Sequence, residues 1–428
     1  MNVAVSQSEE IAFATPALAG GAREKQLAKT LTLLPKNSII GEIMSIEIQD
    51  VITLVSELVK IDSSNPWLVP GSPGEAVVAA YIADWLKPLG VEVRLEEVEN
   101  GRPNLIAIWR GTGGGKSLCL YAHNDTVGYA LWRDRALTPR FEGDKMIGLG
   151  AADDKGHGAA ALLALKCLVE SGIKLRGDVW VLLPIDEEGT SSGSMDFIKH
   201  YHPDGVLVLE ALGPGKITIT HQGFGWLDII VEGRAAHGSA PDIGIDAIVH
   251  MAEVITRLSK LDREKFAASA HPLNGRTVFH TGTITGGTDY ATYPDRCVLG
   301  IEIGTQPGET IQNRVAEIEM IFDEVRGLYP NFKGIVEVKL ARDPFDARGH
   351  EELWKIVASE MEKETDQIPK AGGENSWGDA ALFQDAGMPT LMFGAPGGNL
   401  HAPDEWVSLS GLTHLARILV GVAGRFCA

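Results

Sequence analysis

The sequence predicts an α/β protein: a helix-covered, mostly parallel sheet with a small ferredoxin-like α+β unit inserted into it. Three observations point there. Short apolar runs at 118–122, 179–184 and 206–209 alternate with helical patterns, as buried parallel strands and their crossover helices do. From Trp226 the order becomes strand, helix, strand, strand, helix, strand, which is the ferredoxin-like signature. Beyond residue 341 the first pattern resumes and runs to the C-terminus.

The elements follow in order. Helical spacing of Val51, Leu54, Val55, Leu58 and Val59 predicts a first helix over 48–60, and others are expected at 74–86 and 156–170. Strands are expected at 91–96 and 104–109, ahead of the three apolar runs. The glycine cluster at 111–117 has neither the spacing nor the following helix of a phosphate loop, and it reads as a turn. In the insertion, 226–232 alternates like a half-exposed antiparallel strand. A helix at 245–261, strands at 277–285 and 297–303, a helix at 310–329 and a strand at 336–340 complete it. A helix at 350–363, a strand at 389–393 and a helix at 410–425 close the chain. The expected boundaries are therefore 1–43 for a poorly ordered extension, 44–221 with 341–428 for the larger domain, and 222–340 for the inserted one.

Composition narrows the partners. At 428 residues the chain has room for two domains, and its formal charge of −19 argues against nucleic acid and anionic membranes. No apolar stretch approaches the roughly 20 residues of a membrane span. The run Ile11–Ala19 has a faint export-signal character, but Glu9 and Glu10 stand where a basic segment belongs, so no signal peptide is expected. Four scattered cysteines suit a reducing, cytoplasmic location and exclude a thiolate zinc site.

Each apolar run ends in a polar cluster. His123-Asn124-Asp125 follows the run at 118–122, Glu187-Glu188 follows 179–184, and Glu210 closes 206–209. Asp153-Asp154-Lys155-Gly156 follows a glycine-rich turn, and His401 lies in Gly397-Gly-Asn-Leu-His-Ala-Pro403. The carboxyl ends of strands are where open α/β sheets place ligands. A lone carboxylate at a strand end is usually a cap or an ion-pair partner, but five clusters in one chain make that reading hard to keep. Two histidines and several carboxylates are a donor set for one or two divalent ions. Such a pair of ions turns a clamped water into a nucleophile near neutral pH, and a carboxylate base must then handle its proton. Neighbouring glutamates in an extended chain point opposite ways, so one of Glu187 and Glu188 can hold metal while the other meets water. Asp125 can hold the second nitrogen of the His123 ring.

In combination, His-x-Asp, Asp-x-Lys-Gly, Glu-Glu-Gly, a strand-end acid and His-Ala-Pro-x-Glu resemble the M20 metallopeptidases and amidohydrolases. That family includes acetylornithine deacetylase, succinyl-diaminopimelate desuccinylase and carboxypeptidase G. The resemblance runs from about Ser45 to the C-terminus. It implies a C–N bond hydrolase with His123, Asp153, Glu188, Glu210 and His401 as metal ligands, Asp153 bridging, and Glu187 as general base. It further implies zinc, or alternatively manganese or cobalt, and a non-proline cis peptide at Asp153–Asp154. His237, in Arg234-Ala-Ala-His-Gly-Ser-Ala-Pro241, matches the family histidine that polarises the scissile carbonyl, often from the partner subunit. The inserted unit would then serve as a lid and as the surface of a homodimer.

The chain also departs from the pattern. Where N-acyl amino-acid hydrolases of the family carry carboxylate-gripping asparagine and arginine, this chain has Ala291, Gly304 and Ala381. Tyr290, Tyr293 and Trp377 sit nearby and suit a flat aromatic pocket, although core packing would place aromatics there equally well. Three readings follow: an amide hydrolase of N-acyl amino acids or peptide-like substrates, a hydrolase releasing ammonia from an aromatic amine such as 5-nitroanthranilate, and a catalytically inactive metal-binding scaffold. His157 reads as a helix cap rather than a pocket residue, and His221, just before the inserted domain, is assigned neither a structural nor a functional role.

Overall fold

The computed structural model describes residues 46–132, 135–213 and 215–428. The expected extension at 1–43 and the rejected export signal within it lie outside the described residues.

Chain order runs as follows. Helices α1 (Ile48–Val59) and α2 (Ala76–Leu86) precede strands β1 (Glu92–Glu99), β2 (Arg102–Trp109) and β3 (Leu118–Tyr121). A hairpin, β4 (Arg140–Glu142) and β5 (Lys145–Ile147), leads to α3 (Lys155–Glu170). Then come β6 (Val179–Leu183), α4 (Ser192–His200), β7 (Gly205–Leu209) and β8 (Lys216–His221). The next segment is β9 (Gly223–Glu232), α5 (Ala247–Leu261), β10 (Phe279–Gly286), β11 (Arg296–Thr305), α6 (Ile311–Leu328) and β12 (Lys333–Arg342). The chain closes with β13 (Phe345–Asp346), α7 (Glu351–Thr365), β14 (Lys370–Glu374), α8 (Ala380–Asp385), β15 (Thr390–Phe393), β16 (Gly397–Gly398), β17 (Trp406–Ser408) and α9 (Leu409–Phe426).

The central sheet has nine strands in the order β1-β2-β6-β3-β7-β15-β8-β13, with β14 also on β8. Its middle, β6-β3-β7-β15, is parallel, and antiparallel pairs flank it. The middle strands are buried on both faces, which is why they read as unbroken apolar runs. One face packs against α1, α3 and α9 through Leu58, Leu162, Leu165 and Leu419. The other carries Tyr121, Phe197, Phe383 and Met392.

Residues 223–342 form a separate antiparallel sheet, β10-β11-β9-β12. Its Leu227, Ile229 and Val231 pack against α5 and α6. Alternation along β9 follows the half-buried pattern read from the sequence. A third sheet, β16-β17-β5-β4, was not expected. Its strands are two or three residues long, below the length at which periodicity can be recognised.

Candidate active site

Sheet geometry delivers the clusters to one place. His123 follows β3, Glu187 and Glu188 follow β6, and Glu210 follows β7, all at carboxyl ends of adjacent parallel strands. The His123 ring nitrogen Nε2 lies 2.9 Å from Asp153 Oδ1, and His401 Nε2 lies 3.1 Å from Asp153 Oδ2. His401 is also 3.1 Å from Glu188 Oε2. Glu187 Oε2 and Glu210 Oε1 each stand 3.9 Å from His123 Nε2. Asp153 therefore lies between the two histidines, one oxygen toward each. The Asp153–Asp154 peptide is cis, as expected.

Asp125 organises this end of the cluster. Its Oδ1 is 3.3 Å from His123 Nδ1. Its two oxygens accept the main-chain N–H groups of Glu187 and Glu188 at 3.2 and 3.1 Å, and Asn65 Nδ2 donates to it at 2.7 Å. Glu187 and Glu188 thus occupy a turn pinned by Asp125, rather than the extended chain read from the sequence. Turn geometry, rather than strand alternation, sets the two carboxylates apart.

Other supports escaped sequence reading. Glu405 accepts the N–H groups of Gly150, Ala152 and Asp153 at 3.1, 2.8 and 3.0 Å, fixing the loop that presents Asp153. Asp154 Oδ2 accepts the His123 main-chain N–H at 3.1 Å. His157 is fully buried and is no cap: its Nδ1 donates to Ala152 O at 3.0 Å and its Nε2 accepts the Ala395 N–H at 3.0 Å. Gly394 makes room for it, since a Cβ there would meet His157 Nε2 at 2.6 Å. Asp379, buried behind the cluster, accepts from Tyr121 Oη at 2.6 Å and from Ser194 Oγ. The expected His237 is not brought in. It is exposed, its Nδ1 lies 2.8 Å from Ser239 Oγ, and its backbone bridges Thr292.

The electrostatics call for cations. Burial raises Glu187 well above the usual carboxylate range; His123 opposes this, and Asp379, Glu210 and Glu188 add to it. Burial and then Asp153 raise Glu188 to about 7. Burial would also raise Asp153, but hydrogen bonds with His123 and His401 hold it below the usual range. His401 is lifted to about 11, first by its hydrogen bond to Asp153 and then by Glu188. Among the described residues the ion-pair partners of Asp153, Glu187, Glu188 and Glu210 are histidines, with no lysine or arginine. Glu188 Oε1 is buried and has no hydrogen-bond partner among the described residues. Ligand-capable atoms of His123, Asp153 and Glu188 fall within 4.8 Å of one another, and so do those of His123, Asp154 and Glu210. Asp154 Oδ2 serves the His123 backbone, whereas the two Asp153 oxygens face the two histidine rings. Oxygen and imidazole donors with uncompensated negative charge fit divalent ions.

A sequence profile of peptidase family M20/M25/M40 matches residues 119–425. The N-formyl-4-amino-5-aminomethyl-2-methylpyrimidine deformylase of Bacillus subtilis (strain 168) is 27% identical, over 89% of this chain and 95% of its own length. An acetylornithine deacetylase of Vibrio cholerae serotype O1 (strain M66-2) is 29% identical over 83% of this chain and 92% of its own. Among solved structures, a tripeptidase of Staphylococcus aureus superposes with a TM-score of 0.75, at 20% identity, covering 89% of this chain and 98% of that one. A dinuclear metal-binding peptidase of Bacillus subtilis gives 0.66 at 15% identity, covering 89% and 98%. At those identities the structural likeness establishes the shared fold.

Proposed function

The chain belongs to peptidase family M20/M25/M40, a family of hydrolases, and on that premise we propose that it is a metal-dependent amidohydrolase cleaving the C–N bond of an N-acylated small molecule. The observation that carries this reading is Asp153 between His123 and His401, with the Glu187 carboxylate beside the same histidine. In the proposal His123, Asp153, Glu188, Glu210 and His401 hold one or two divalent ions, zinc in the first instance. Bound ions supply a water that ionises near neutral pH and an electrophile for the substrate carbonyl.

The protein residues then have separate tasks. Glu187 takes the proton of the attacking water and returns it to the leaving nitrogen. Its raised affinity for protons suits a group that must both accept and release one. Asp125 orients the His123 ring and the Glu187–Glu188 turn together. Oxyanion stabilisation falls to His237, supplied by a second copy of the chain. Exposure of His237, and an exposed edge strand β10 on the same sheet, support a homodimer through residues 222–340. The four cysteines, buried and scattered along the chain, support a reducing, cytoplasmic setting, and no helix among the described residues is long and apolar enough to cross a membrane.

A second reading keeps the site and releases ammonia from an aromatic amine. It is favoured by aromatic side chains, Phe224, Trp226 and Trp377, lining the cavity beside Glu187 and Glu188. The inactive-scaffold reading is disfavoured by Glu187, a buried carboxylate that metal binding alone does not require. A screen of purified, metal-loaded protein separates the three. N-acetyl and N-formyl amines, dipeptides and aminobenzoates are incubated, and released amine and ammonia are quantified. Amine from the acylated compounds is expected; ammonia from aminobenzoates alone would replace the first reading by the second, and bound metal with neither product would leave the scaffold.

A further inference from the structure

The proposed reaction uses a cavity of about 220 Å³ lined by Glu187 and Glu188 together with Trp226, Glu302, Arg342 and Trp377. Strand register explains this lining. On β9, Phe224 pairs with Gly304 on one side and Arg342 on the other. Trp226 likewise pairs with Glu302 and Leu340. Residues two apart on a strand share a face, as do cross-strand partners. Phe224, Trp226, Glu302 and Arg342 therefore project together, opposite the face that carries Leu227, Ile229 and Val231 into the core.

The wall is aromatic and continuous. Trp67 stacks on Trp226 at 5.5 Å and 16° between planes. Phe224 meets Trp226 at 5.4 Å and Trp377 at 5.7 Å. Trp226 Nε1 donates to Glu302 Oε2 at 2.7 Å, which locks the indole plane.

Charge is divided across this wall. The Arg342 guanidinium lies 6.0 Å from the centre of the Trp377 ring. It donates to Thr190 O, and to Ala341 O at 3.0 Å. Among the described residues no carboxylate forms an ion pair with it, although it is half-buried. A guanidinium has five N–H donors in a planar fork that matches a carboxylate, and a desolvated cation without an anion is unfavourable. Glu302 repels negative charge from the Trp226 end, so an anionic group is directed to Arg342.

The geometry points to Arg342 as the residue that reads substrate charge, holding the carboxylate of a planar aromatic N-acyl amine. The ring lies on the Trp226–Phe224–Trp377 wall and the amide reaches Glu187. This assignment rests on the amidohydrolase reading and names its substrate class. It also restores, two strands away from Gly304 in the same row, a grip that the sequence pattern had left empty.

The test reads binding in metal-loaded Glu187→Gln protein by tryptophan fluorescence, so turnover plays no part. The probes are 2-acetamidobenzoate, acetanilide, which lacks the carboxylate, and N-acetylleucine, which lacks the ring. We expect 2-acetamidobenzoate to bind at least about tenfold more tightly than either. Adding Arg342→Gln should erase its advantage over acetanilide without weakening acetanilide, and Arg342→Lys should restore part of it. Equal binding of 2-acetamidobenzoate and acetanilide when Arg342 is present overturns the proposal, whether or not the variants fold. Survival of the preference in Arg342→Gln overturns it as well, and N-acetylleucine binding as tightly overturns the aromatic assignment. Carboxylate-selective binding without amide hydrolysis by the unmutated enzyme would refute the reaction and leave this site standing; hydrolysis without charge selectivity would do the reverse.

Discussion

Asp153 Oδ2 stands 3.1 Å from His401 Nε2, joining the loop after β5 to a turn near the C-terminus. The other Asp153 oxygen meets His123, so one carboxylate links both histidines. Asp153→Ala should therefore empty the site. Metal analysis by mass spectrometry should show bound metal falling to background, with activity lost alongside. A variant that retains two equivalents of metal would remove Asp153 from the bridging role.

His237→Ala should slow turnover by about 10²–10³-fold with metal content unchanged, the usual loss for one oxyanion donor. Its exposure in the single chain gives the sharper check. The impaired His237→Ala and Glu187→Gln protomers, once exchanged into mixed dimers, should regain activity, because one composite site is then intact. No recovery after demonstrated subunit exchange would place His237 in its own protomer's site or outside catalysis.

Much of this site was legible because several of its charged residues follow apolar runs. His123, the Glu187–Glu188 pair and Glu210 each come shortly after a strand that the sequence marks by length and composition. What was not legible depends on contacts between distant segments. Glu405 stabilises the Gly150–Asp153 loop through hydrogen bonds spanning more than 250 residues. Arg342 enters the cavity only because a bulge between Val338 and Leu340 sets its register against Phe224. His157 reads as a cap from its place at a helix start, but burial between Ala152 and Ala395 makes it a strut. No periodicity encodes such pairings.

Two buried histidines should make the fold acid-sensitive. Burial drives His157 and His221 down to about 4 from an ordinary 6.5. With the folded value below the unfolded one, acidification protonates the unfolded chain first, and the stabilisation is lost as pH falls from 6.5 toward 4. The full linkage for each is about 3 kcal/mol. In metal-free protein the urea midpoint should fall across that window, and His221→Gln should fall less steeply. Parallel curves for the two proteins would contradict this account of His221.

In the proposed reading, substrate preference follows from the aromatic cavity wall, with Gly304, Ala291 and Ala381 standing where the usual carboxylate-gripping side chains were expected. N-acetylornithine should be a poor substrate, with kcat/KM below about 10⁴ M⁻¹s⁻¹, the lower end of ordinary enzyme efficiency. A planar acylated aromatic amine should exceed it in the same assay. Efficient N-acetylornithine hydrolysis would show that these substitutions do not determine specificity.

In the proposed mechanism Glu187 moves protons in a metal site it does not help to hold. The most direct measurement compares bound metal and amine release in unmutated and Glu187→Gln protein, side by side. Metal stoichiometry should stay unchanged while turnover falls about 10²–10⁴-fold, the typical cost of losing a general base. Metal lost in proportion to activity would make Glu187 a ligand and contradict that mechanism.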